Sequence, residues 1–543
     1  MKIKKNRLLI CLFVAILFFA STSSAPVTPT YAIVSCKIIP VTGSPIEKGT
    51  IIIRDGLIES LGPQGKITIP EDAEIIKADG LFAYPGLIDS HTNLFLEPPK
   101  EVPRRPGART TTATDPRQKE KAQHPDLMAA KLLKPKKATV SDLHKIGITT
   151  VLVAPESGIY AGQSVLLNVN GEKAEPMVIN SPVALHVNFT TASGTYPSSL
   201  MGTMAFLRQS FLDTEHYFSH KSQFSKSSRG LKRPEYNSFL EALSPYVVKK
   251  NPIFFNCANL EDIKRALRLI KEFKLNGFLT GANEAWRVAD LLIKNAEVPL
   301  LVSLDFKPPS TSSYIKQGEE LKKKAEEEIY PANASNLHKK RLTFALTSLG
   351  LKKPDEIPKN VQKAVKAGLP KEEALKAMTI IPAKILGVSS FLGSLEPGKI
   401  ANVILTTGEI FGEKTKVERV FVDGISFGIK KPAEGEKPAK VNIAGRWSAK
   451  ISSPMGQWES TIELEQDGNE ISGRISTRMG SWEIRDGILS GNELALSISA
   501  TIMGEAMNLS FSGTAEKDSI EGTITVMEWS MELKATRIPD GEF

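Results

Sequence analysis

The middle of the chain alternates short apolar runs with segments whose apolar residues recur at helical spacing. The runs at Ile148–Ala154 and Pro252–Cys257 predict buried parallel strands, as do those at 277–280, 298–304 and 342–347. Between them, Leu260–Phe273 places its apolar residues on one face of a predicted helix. A strand and helix alternation of this length indicates an α/β fold of the TIM-type (β/α)8 barrel, which we assign to residues 82–390.

Both flanks of this region contain short β-rich runs, which predict short strands. Thr50–Arg54 runs through Asp55-Gly56 into a second β-rich run at 57–61, and Asp-Gly between two such runs predicts a hairpin. Residues 402–405 and 417–422 are again β-rich and predict strands. The flanks therefore predict two small β units, at 30–81 and at 391–427.

The last part of the chain is all-β by pattern. A charged Pro/Gly-containing linker at 428–440 precedes residues 441–543, where apolar and polar residues alternate. Turn signals at Asp467-Gly468, Asp486-Gly487 and Gly491-Asn492 predict an antiparallel barrel or sandwich. Four of the five Trp and six of the twelve Met lie there. They indicate either a β core, which we favour, or an apolar cavity for a ligand or partner.

The N-terminus has the features of a secretory signal. Basic residues precede the apolar run Leu8–Ala20 and the small residues that end near Ala25. We predict a signal peptide at 1–25, an exported protein in the periplasm or secreted, and no transmembrane helix after signal removal; an uncleaved membrane anchor is the alternative. An oxidising compartment permits a disulfide between Cys36 and Cys257. Because they fall in predicted strands of different domains, we expect two buried free thiols.

The net charge of +9 has local origins. Four basic residues lie at the extreme N-terminus, and residues 97–145 contain 12 Lys/Arg against 6 Asp/Glu. No nucleic-acid-binding motif accompanies them, so we predict a solvated basic loop and no nucleic-acid partner.

Three segments of the chain together resemble one known family. Residues 80–95 read GLFAYPGLIDSHTNLF, residues 374–405 read ALKAMTIIPAKILGVSSFLGSLEPGKIANVIL, and the third segment is the β-rich stretch 30–62. Together they resemble the amidohydrolase superfamily, in its secreted, imidazolonepropionase-like branch. The first segment is similar to the signature of the family's first barrel strand, the second to its last barrel helix and return strand, and the third to its N-terminal β unit. The resemblance implies that 30–81 and 391–427 form one composite β-sandwich beside the barrel.

The resemblance also implies metal-assisted hydrolysis of C–N bonds other than peptide bonds, with zinc or another divalent metal as cofactor. Here most of the family's ligands are absent. His91 is kept, but the second histidine of the signature is Asn93, and the expected eighth-strand aspartate is replaced by Ser348-Leu349. The fifth-strand and sixth-strand candidates, 256–258 and 280–281, lack histidine. The metal site is therefore predicted to be incomplete, with His91 as its one candidate ligand.

Other residues are candidates by their position near strand ends. We predict catalytic roles for His91, His186 and Glu284, and substrate-binding roles for Asn93, Asn256, Trp286 and Arg287. His216 and His220 have the i, i+4 spacing that suits a metal, although a solvated basic face is the simpler interpretation. Two functions stay open, each with a small-molecule ligand at the barrel mouth. One is a divergent hydrolase of a small cyclic amide; the other is a catalytically inactive homologue that binds a ligand or partner.

Overall fold

The computed structural model of the protein describes residues 29–96, 123–192, 196–309, 312–316, 318–429, 439–453, 456–477, 480–502, 505–526 and 529–538. The predicted signal peptide, residues 97–122 of the basic segment and residues 430–438 of the linker lie outside the described residues. The chain divides into two compact units, Met1–Ile429 and Lys430–Phe543. Among the described helices, none combines the length and apolar character needed to cross a membrane.

The first unit contains strands and helices that we number in chain order. Its strands are β1 Tyr31–Ile38, β2 Ile46–Arg54, β3 Leu57–Pro63, β4 Glu74–Lys77, β5 Phe82–Pro85, β6 Leu87–Thr92, β7 Ile148–Val153, β8 Tyr160–Gln163, β9 Val165–Asn168, β10 Val178–Asn180, β11 Leu185–Asn188, β12 Ile253–Cys257, β13 Gly277–Gly281, β14 Leu300–Ser303, β15 Phe344–Thr347, β16 Val403–Thr406, β17 Val417–Val422 and β18 Ile425–Gly428. Its α-helices are α1 Lys137–Lys145, α2 Ala174–Met177, α3 Leu200–Lys226, α4 Ser238–Val247, α5 Leu260–Phe273, α6 Ala289–Ile293, α7 Ser313–Lys316, α8 Glu319–Lys324, α9 Ala332–Lys339, α10 Glu356–Lys366, α11 Lys371–Ala377 and α12 Ile380–Ile385.

Strands from both flanks form one composite sheet. Its order is β18-β17-β16-β5-β1-β2-β3, with β4 paired beside β1. The two flanks join where β16 lies antiparallel to β5, with Val403 opposite Pro85. The Asp55-Gly56 turn joins β2 to β3, and both residues have positive φ, at 52° and 78°. Positive φ at both central positions is the requirement of the hairpin turn that Asp-Gly predicts, so the hairpin is confirmed.

The remaining strands of the first unit build the barrel. Parallel pairs run from β11 through β12, β13 and β14 to β15, and β6 is parallel to β7. Ser90 Oγ on β6 donates a hydrogen bond to the Leu346 carbonyl oxygen on β15, 3.3 Å away, which links the two ends of the ring. The α/β barrel that the sequence pattern predicts is thus confirmed.

One position of the barrel runs in the opposite direction. β9 is antiparallel to β7, and β8 is antiparallel to β11. Only Ser164 separates β8 from β9, so residues 160–168 act as one bent strand between β7 and β11. Helix α3 packs on its outer side, where Tyr160 contacts the rings of Phe206 and Phe211. The antiparallel pair of β7 and β9, followed by the long helix α3, therefore replaces one ordinary βαβ repeat of the barrel.

The barrel interior has an apolar layer below a polar one. The lower layer is a buried apolar cluster that includes Ile88, Leu152, Leu166, Phe254, Phe278, Leu301 and Ala345. On β12, alternation puts Asn256 on the same face as Phe254, whereas Phe255 and Cys257 belong to the outer, helix-facing cluster. Polar side chains two residues beyond the apolar layer thus reach the carboxyl ends of the parallel strands.

Helix α5 matches the predicted range, Leu260–Phe273. The Asn259 side chain accepts hydrogen bonds from the backbone N–H groups of Glu261 and Asp262, at 3.0 and 3.1 Å, and so begins the helix. Lys274 follows the last turn with φ at 50°, in the left-handed conformation that ends helices.

The second unit is a closed antiparallel barrel of eight strands in chain order. The strands are β19 Gly445–Ser453, β20 Gly456–Asp467, β21 Glu470–Thr477, β22 Gly480–Ser490, β23 Glu493–Ile502, β24 Glu505–Ala515, β25 Ser519–Val526 and β26 Trp529–Arg537. The predicted turn at Asp486-Gly487 is wrong, because both residues lie inside β22 beside a bulge. A Cβ on Gly487 would lie 2.5 Å from the Ile471 carbonyl oxygen, so this glycine permits a close strand approach instead.

Both cysteines in the described residues are buried and free, as predicted. Cys257 Sγ lies 3.4 Å from the Phe255 carbonyl oxygen, to which it donates. Burial raises the pKa of this thiol well above its usual range, which keeps it protonated and unreactive.

Candidate functional site

Two imidazole rings meet inside the first-unit barrel. His91 lies near the end of β6, and His186 lies on β11. Their ring centroids are 4.7 Å apart, with the rings inclined at 65° in an edge-to-face arrangement. Both residues are 2% exposed, and the Phe254 ring lies 5.1 Å from that of His186. The barrel thus brings together two of the predicted site residues that are distant in sequence.

Three of the four imidazole nitrogens have no hydrogen-bond partner among the described residues. His91 Nδ1 lies 2.9 Å from the Thr280 hydroxyl oxygen on β13, but His91 Nε2 and both nitrogens of His186 are buried without a partner. Because the ring of a neutral histidine carries one donor and one acceptor, either tautomer leaves His91 Nε2 free to bind. Leaving a buried polar group unpaired costs about 1–3 kcal/mol, so we expect this pair to lower the free energy of unfolding of the first unit.

Burial also keeps both rings uncharged. Desolvation lowers the pKa of His91 from its ordinary 6.5 to about 4. Desolvation, followed by repulsion from His91, lowers the pKa of His186 well below its usual range. At neutral pH, the two rings therefore present neutral donors and acceptors, and they do not attract an anion by charge.

These lowered pKa values predict an acid-sensitive first unit. The unfolded chain takes up a proton at His91 near pH 6.5, whereas the folded chain does so only near pH 4. Between these values the unfolded state binds more protons, so the free energy of unfolding falls as pH falls, by about 1.4 kcal/mol per pH unit for one such ring. Denaturant titrations followed by the helical circular-dichroism signal should show a shallower pH dependence in His91→Leu. An unchanged dependence in that variant would contradict the assignment, and His338→Leu, at a half-buried ring outside the barrel interior, is the control.

The carboxylate of Asp89 lies beside this pair, and both of its oxygens accept hydrogen bonds. Its Oδ1 accepts hydrogen bonds from the Ser348 backbone N–H at 2.9 Å and from the Thr347 hydroxyl at 3.1 Å, and the Ser348 hydroxyl donates to Oδ2. Oδ1 also lies 3.4 Å from the His91 backbone N–H. Desolvation raises the pKa of Asp89 above its usual range, and the Ser348 bonds oppose this shift. Asp89 thus fastens β6 to the end of β15, and it contacts the main chain of His91, not its ring.

The donor set does not fit the metal site that the fold family implies. Such a site needs at least three protein ligands and one open position. No group of three His, Cys, Asp or Glu side chains within the described residues is arranged to hold a metal ion. His91 and His186 supply two imidazoles, but both oxygens of Asp89 are occupied by hydroxyl and amide donors. The residues at the barrel mouth therefore do not form a three-ligand site.

Glu284, Trp286 and Arg287 belong to a structural network. Glu284 is buried, and its Oε2 accepts from the Leu260 backbone N–H at 3.0 Å. Its Oε1 accepts from Arg287 Nη1 at 2.9 Å and from the Tyr330 hydroxyl at 3.0 Å. The half-buried Trp286 packs edge-on against Tyr330, with ring centroids 5.1 Å apart. These bonds occupy both carboxylate oxygens of Glu284. The roles predicted for the three residues stay predictions.

The two predicted asparagines occupy different environments. Asn93 is exposed after β6, and its side chain hydrogen-bonds the carboxylate of Glu156, which follows β7. Asn256 lies opposite Thr280 across the β12–β13 pair, and a Cβ on Gly281 would lie 3.0 Å from Asn256 Oδ1. Asn256 thus lies beside Thr280, which hydrogen-bonds the His91 ring, whereas Asn93 contacts Glu156.

Sequence reasoning missed Thr280 and Thr347 as parts of the site. Thr280 lies two residues after Phe278 on β13, so alternation alone could have placed it on the inner face. Thr347 donates to Asp89 and also to the His91 carbonyl oxygen, at 2.7 Å. Its role depends on contact between the first and last barrel strands, which no local pattern reveals.

Comparisons with known proteins agree with this architecture. Residues 349–426 match the family model described as Amidohydrolase family. A solved amidohydrolase from Thermotoga maritima MSB8 shares 24% identity with a TM-score of 0.59, and the alignment covers 73% of this chain and 100% of that one. No curated protein matches the sequence. The matched segment and the shared fold confirm the resemblance to the amidohydrolase superfamily, and the protein is amidohydrolase-like in its barrel and composite sheet.

Two further solved structures are more distant. A putative prolidase from Bifidobacterium longum shares 16% identity at a TM-score of 0.44, covering 75% of this chain and 98% of that one. A β-aspartyl dipeptidase from Fervidobacterium islandicum AW-1 shares 12% at a TM-score of 0.42, covering 73% and 96%. Similarities this loose carry no argument about function.

Proposed function

We propose that this amidohydrolase-like barrel binds a small, neutral, amide-containing molecule, such as a lactam or a cyclic imide, through His91 and His186. The observation that carries the proposal is the set of three buried imidazole nitrogens without partners. An amide offers both an N–H donor and a carbonyl acceptor, which match the acceptor and donor of a neutral imidazole. Because burial keeps both rings uncharged, a neutral ligand fits this pair better than an anion.

Hydrolysis of a C–N bond in such a ligand is the second candidate function. A histidine with a pKa of about 4 is a weak base at neutral pH, so His91 is poorly suited to activate water. Asp89 favours this candidate, because burial raises its pKa toward the range in which a carboxylic acid can exchange protons. The Ser348 hydroxyl that bonds Asp89 is at the end of β15, on the same rim. The binding role needs no such proton transfer and has the stronger geometric support.

Calorimetric titration of the untagged full chain with lactams, imides and linear amides tests binding. We expect saturable binding of at least one member, weakened at least about tenfold in His186→Leu, which removes two hydrogen-bonding positions. His338→Leu should bind as the natural protein does. Wild-type protein that binds no member of the panel, or equal affinity in His186→Leu, would overturn the proposal.

The same mixtures separate binding from turnover. Nuclear magnetic resonance of each mixture reveals ring opening or amine release. Turnover that is lost in Asp89→Asn, while binding persists, would establish the hydrolase. Binding without turnover would establish a ligand-binding homologue.

Export remains part of the proposal. Residues 1–25 carry the signal pattern, and an exported location fits free amides as ligands that reach the protein from outside the cytoplasm. Fractionation of cells that produce the full chain, with and without residues 2–25, tests this; recovery of the full chain only in the cytoplasm would contradict it.

A further inference from the structure

A groove runs along the long helix α3, away from the residues of the barrel site. It has a volume of about 550 Å³. One wall is α3, and the other consists of residues 232–237 and the first turns of α4. Its lining is mixed, with aromatic rings from Phe206, Tyr217 and Tyr236 beside ionisable side chains.

Two histidines project into this groove from successive turns of α3. His216 is exposed and His220 is half-buried, and both line the groove. Their ring centroids are 6.4 Å apart, with the rings inclined at 39°. Neither ring has a hydrogen-bond or ion-pair partner within the described part of the chain. The spacing i, i+4 places both side chains on one helix face, where a change of side-chain torsion brings two ring nitrogens to a common ion.

The charges around the pair are balanced. Asp213 lies one turn before His216 on α3, and Glu235 lies in the facing wall. Lys232 and Arg233 also line the groove, but Lys232 Nζ is 3.0 Å from Glu235 Oε1 and so is partly neutralised. Tyr217 and Lys221 direct their polar atoms to Glu241 on α4. The lining therefore holds as many carboxylates, Asp213 and Glu235, as cationic Lys and Arg side chains, so no excess of positive charge repels a cation.

We propose that His216 and His220 form a two-imidazole site for a divalent transition-metal ion on the surface of α3. Imidazole nitrogens suit zinc, copper and nickel, and water or a groove carboxylate fills the remaining positions. This surface site differs from the buried His91 and His186 pair, because one ring is exposed and the other half-buried, and it needs no rearrangement of a barrel interior. It does not depend on the function proposed for the barrel mouth.

Equilibrium dialysis of the untagged full chain against zinc, followed by elemental analysis, tests the proposal. We expect about one bound zinc per chain. His216→Ala or His220→Ala should each weaken zinc binding more than about tenfold, because losing a residue that only supports a metal ligand already weakens binding about tenfold. Both rings are exposed or half-buried on a helix, so alanine should leave the fold intact, and circular dichroism checks this.

Two matched variants complete the test. His338→Ala removes a half-buried helical histidine outside the groove and should bind zinc like the natural protein. His91→Leu/His186→Leu should also retain zinc, which separates this site from the barrel pair. Zinc binding that is absent, that survives both groove substitutions, or that disappears only in the barrel variant would overturn the proposal.

Discussion

Replacing Trp447 by alanine is expected to lower the free energy of unfolding of the C-terminal barrel by about 3–5 kcal/mol. Trp447 is fully buried in the second unit, and its Nε1–H donates to the Ile443 carbonyl oxygen at 2.9 Å. The Arg537 guanidinium lies over its ring at 4.5 Å, so the substitution also removes a cation–π contact between β19 and β26. The cavity, the lost hydrogen bond and the lost cation–π contact would each lower the free energy of unfolding.

Differential scanning calorimetry of the full chain measures this effect. Trp458→Ala is the matched control, because Trp458 is half-buried against the same core, and it should cost about 1–2 kcal/mol. Equal losses in the two variants would contradict the assignment of Trp447 as the central core residue. That assignment favours the β-core interpretation of the C-terminal tryptophans over an apolar cavity.

Replacing His186 by leucine is expected to stabilise the first unit by about 1–3 kcal/mol while it weakens ligand binding at least about tenfold. Both ring nitrogens of His186 are buried without partners, and its neighbours include the Phe254 ring. An apolar side chain of similar size removes the cost of the unpaired polar atoms and keeps contact with that ring. Urea titrations followed by the helical circular-dichroism signal report on this unit, because the second unit is all-β.

His144 provides the matched contrast. It is as buried as His186, at 3% against 2% exposed, but its Nε2 hydrogen-bonds the Val169 carbonyl oxygen at 2.7 Å. His144→Leu leaves that carbonyl unpaired and should destabilise the unit by about 1–3 kcal/mol. Opposite signs for the two substitutions would support a functional reason for retaining His186. Destabilisation in both would show that the unpaired nitrogens of His186 are not costly.

Much of the architecture could be predicted because it depends on local patterns. Helix α5 was bounded correctly, since its apolar spacing, its Asn259 cap and the residue that ends it are all encoded within one segment. The Asp55-Gly56 hairpin followed from turn chemistry in the same way. The alternation of strands and helices predicts the barrel, and the family resemblance supports it. The pairing of the two flanks in one composite sheet follows only from the family resemblance, because periodicity does not say that distant segments pair.

The parts that escaped prediction depend on contacts between distant segments. Periodicity gives no strand direction, so the antiparallel run of β8 and β9 could not be foreseen. Asp486-Gly487 has turn residues, but the strand pairing on both sides of β22 outweighs local propensity. His91 and His186 were recognised as candidates, but their edge-to-face contact depends on closure of the barrel.

The reversed strand has a consequence for the order in which the barrel can assemble. β7 and β9 pair as near neighbours in the chain, with Thr150 opposite Asn168, whereas the ring is completed only when β15 reaches β6. A short loop costs little entropy to close, so this hairpin can form while the rest of the polypeptide is still being synthesised. Joining β15 to β6 has to wait for almost the whole first unit. Hydrogen-exchange pulse labelling during refolding should therefore find amides of β7 and β9 protected before those of β15.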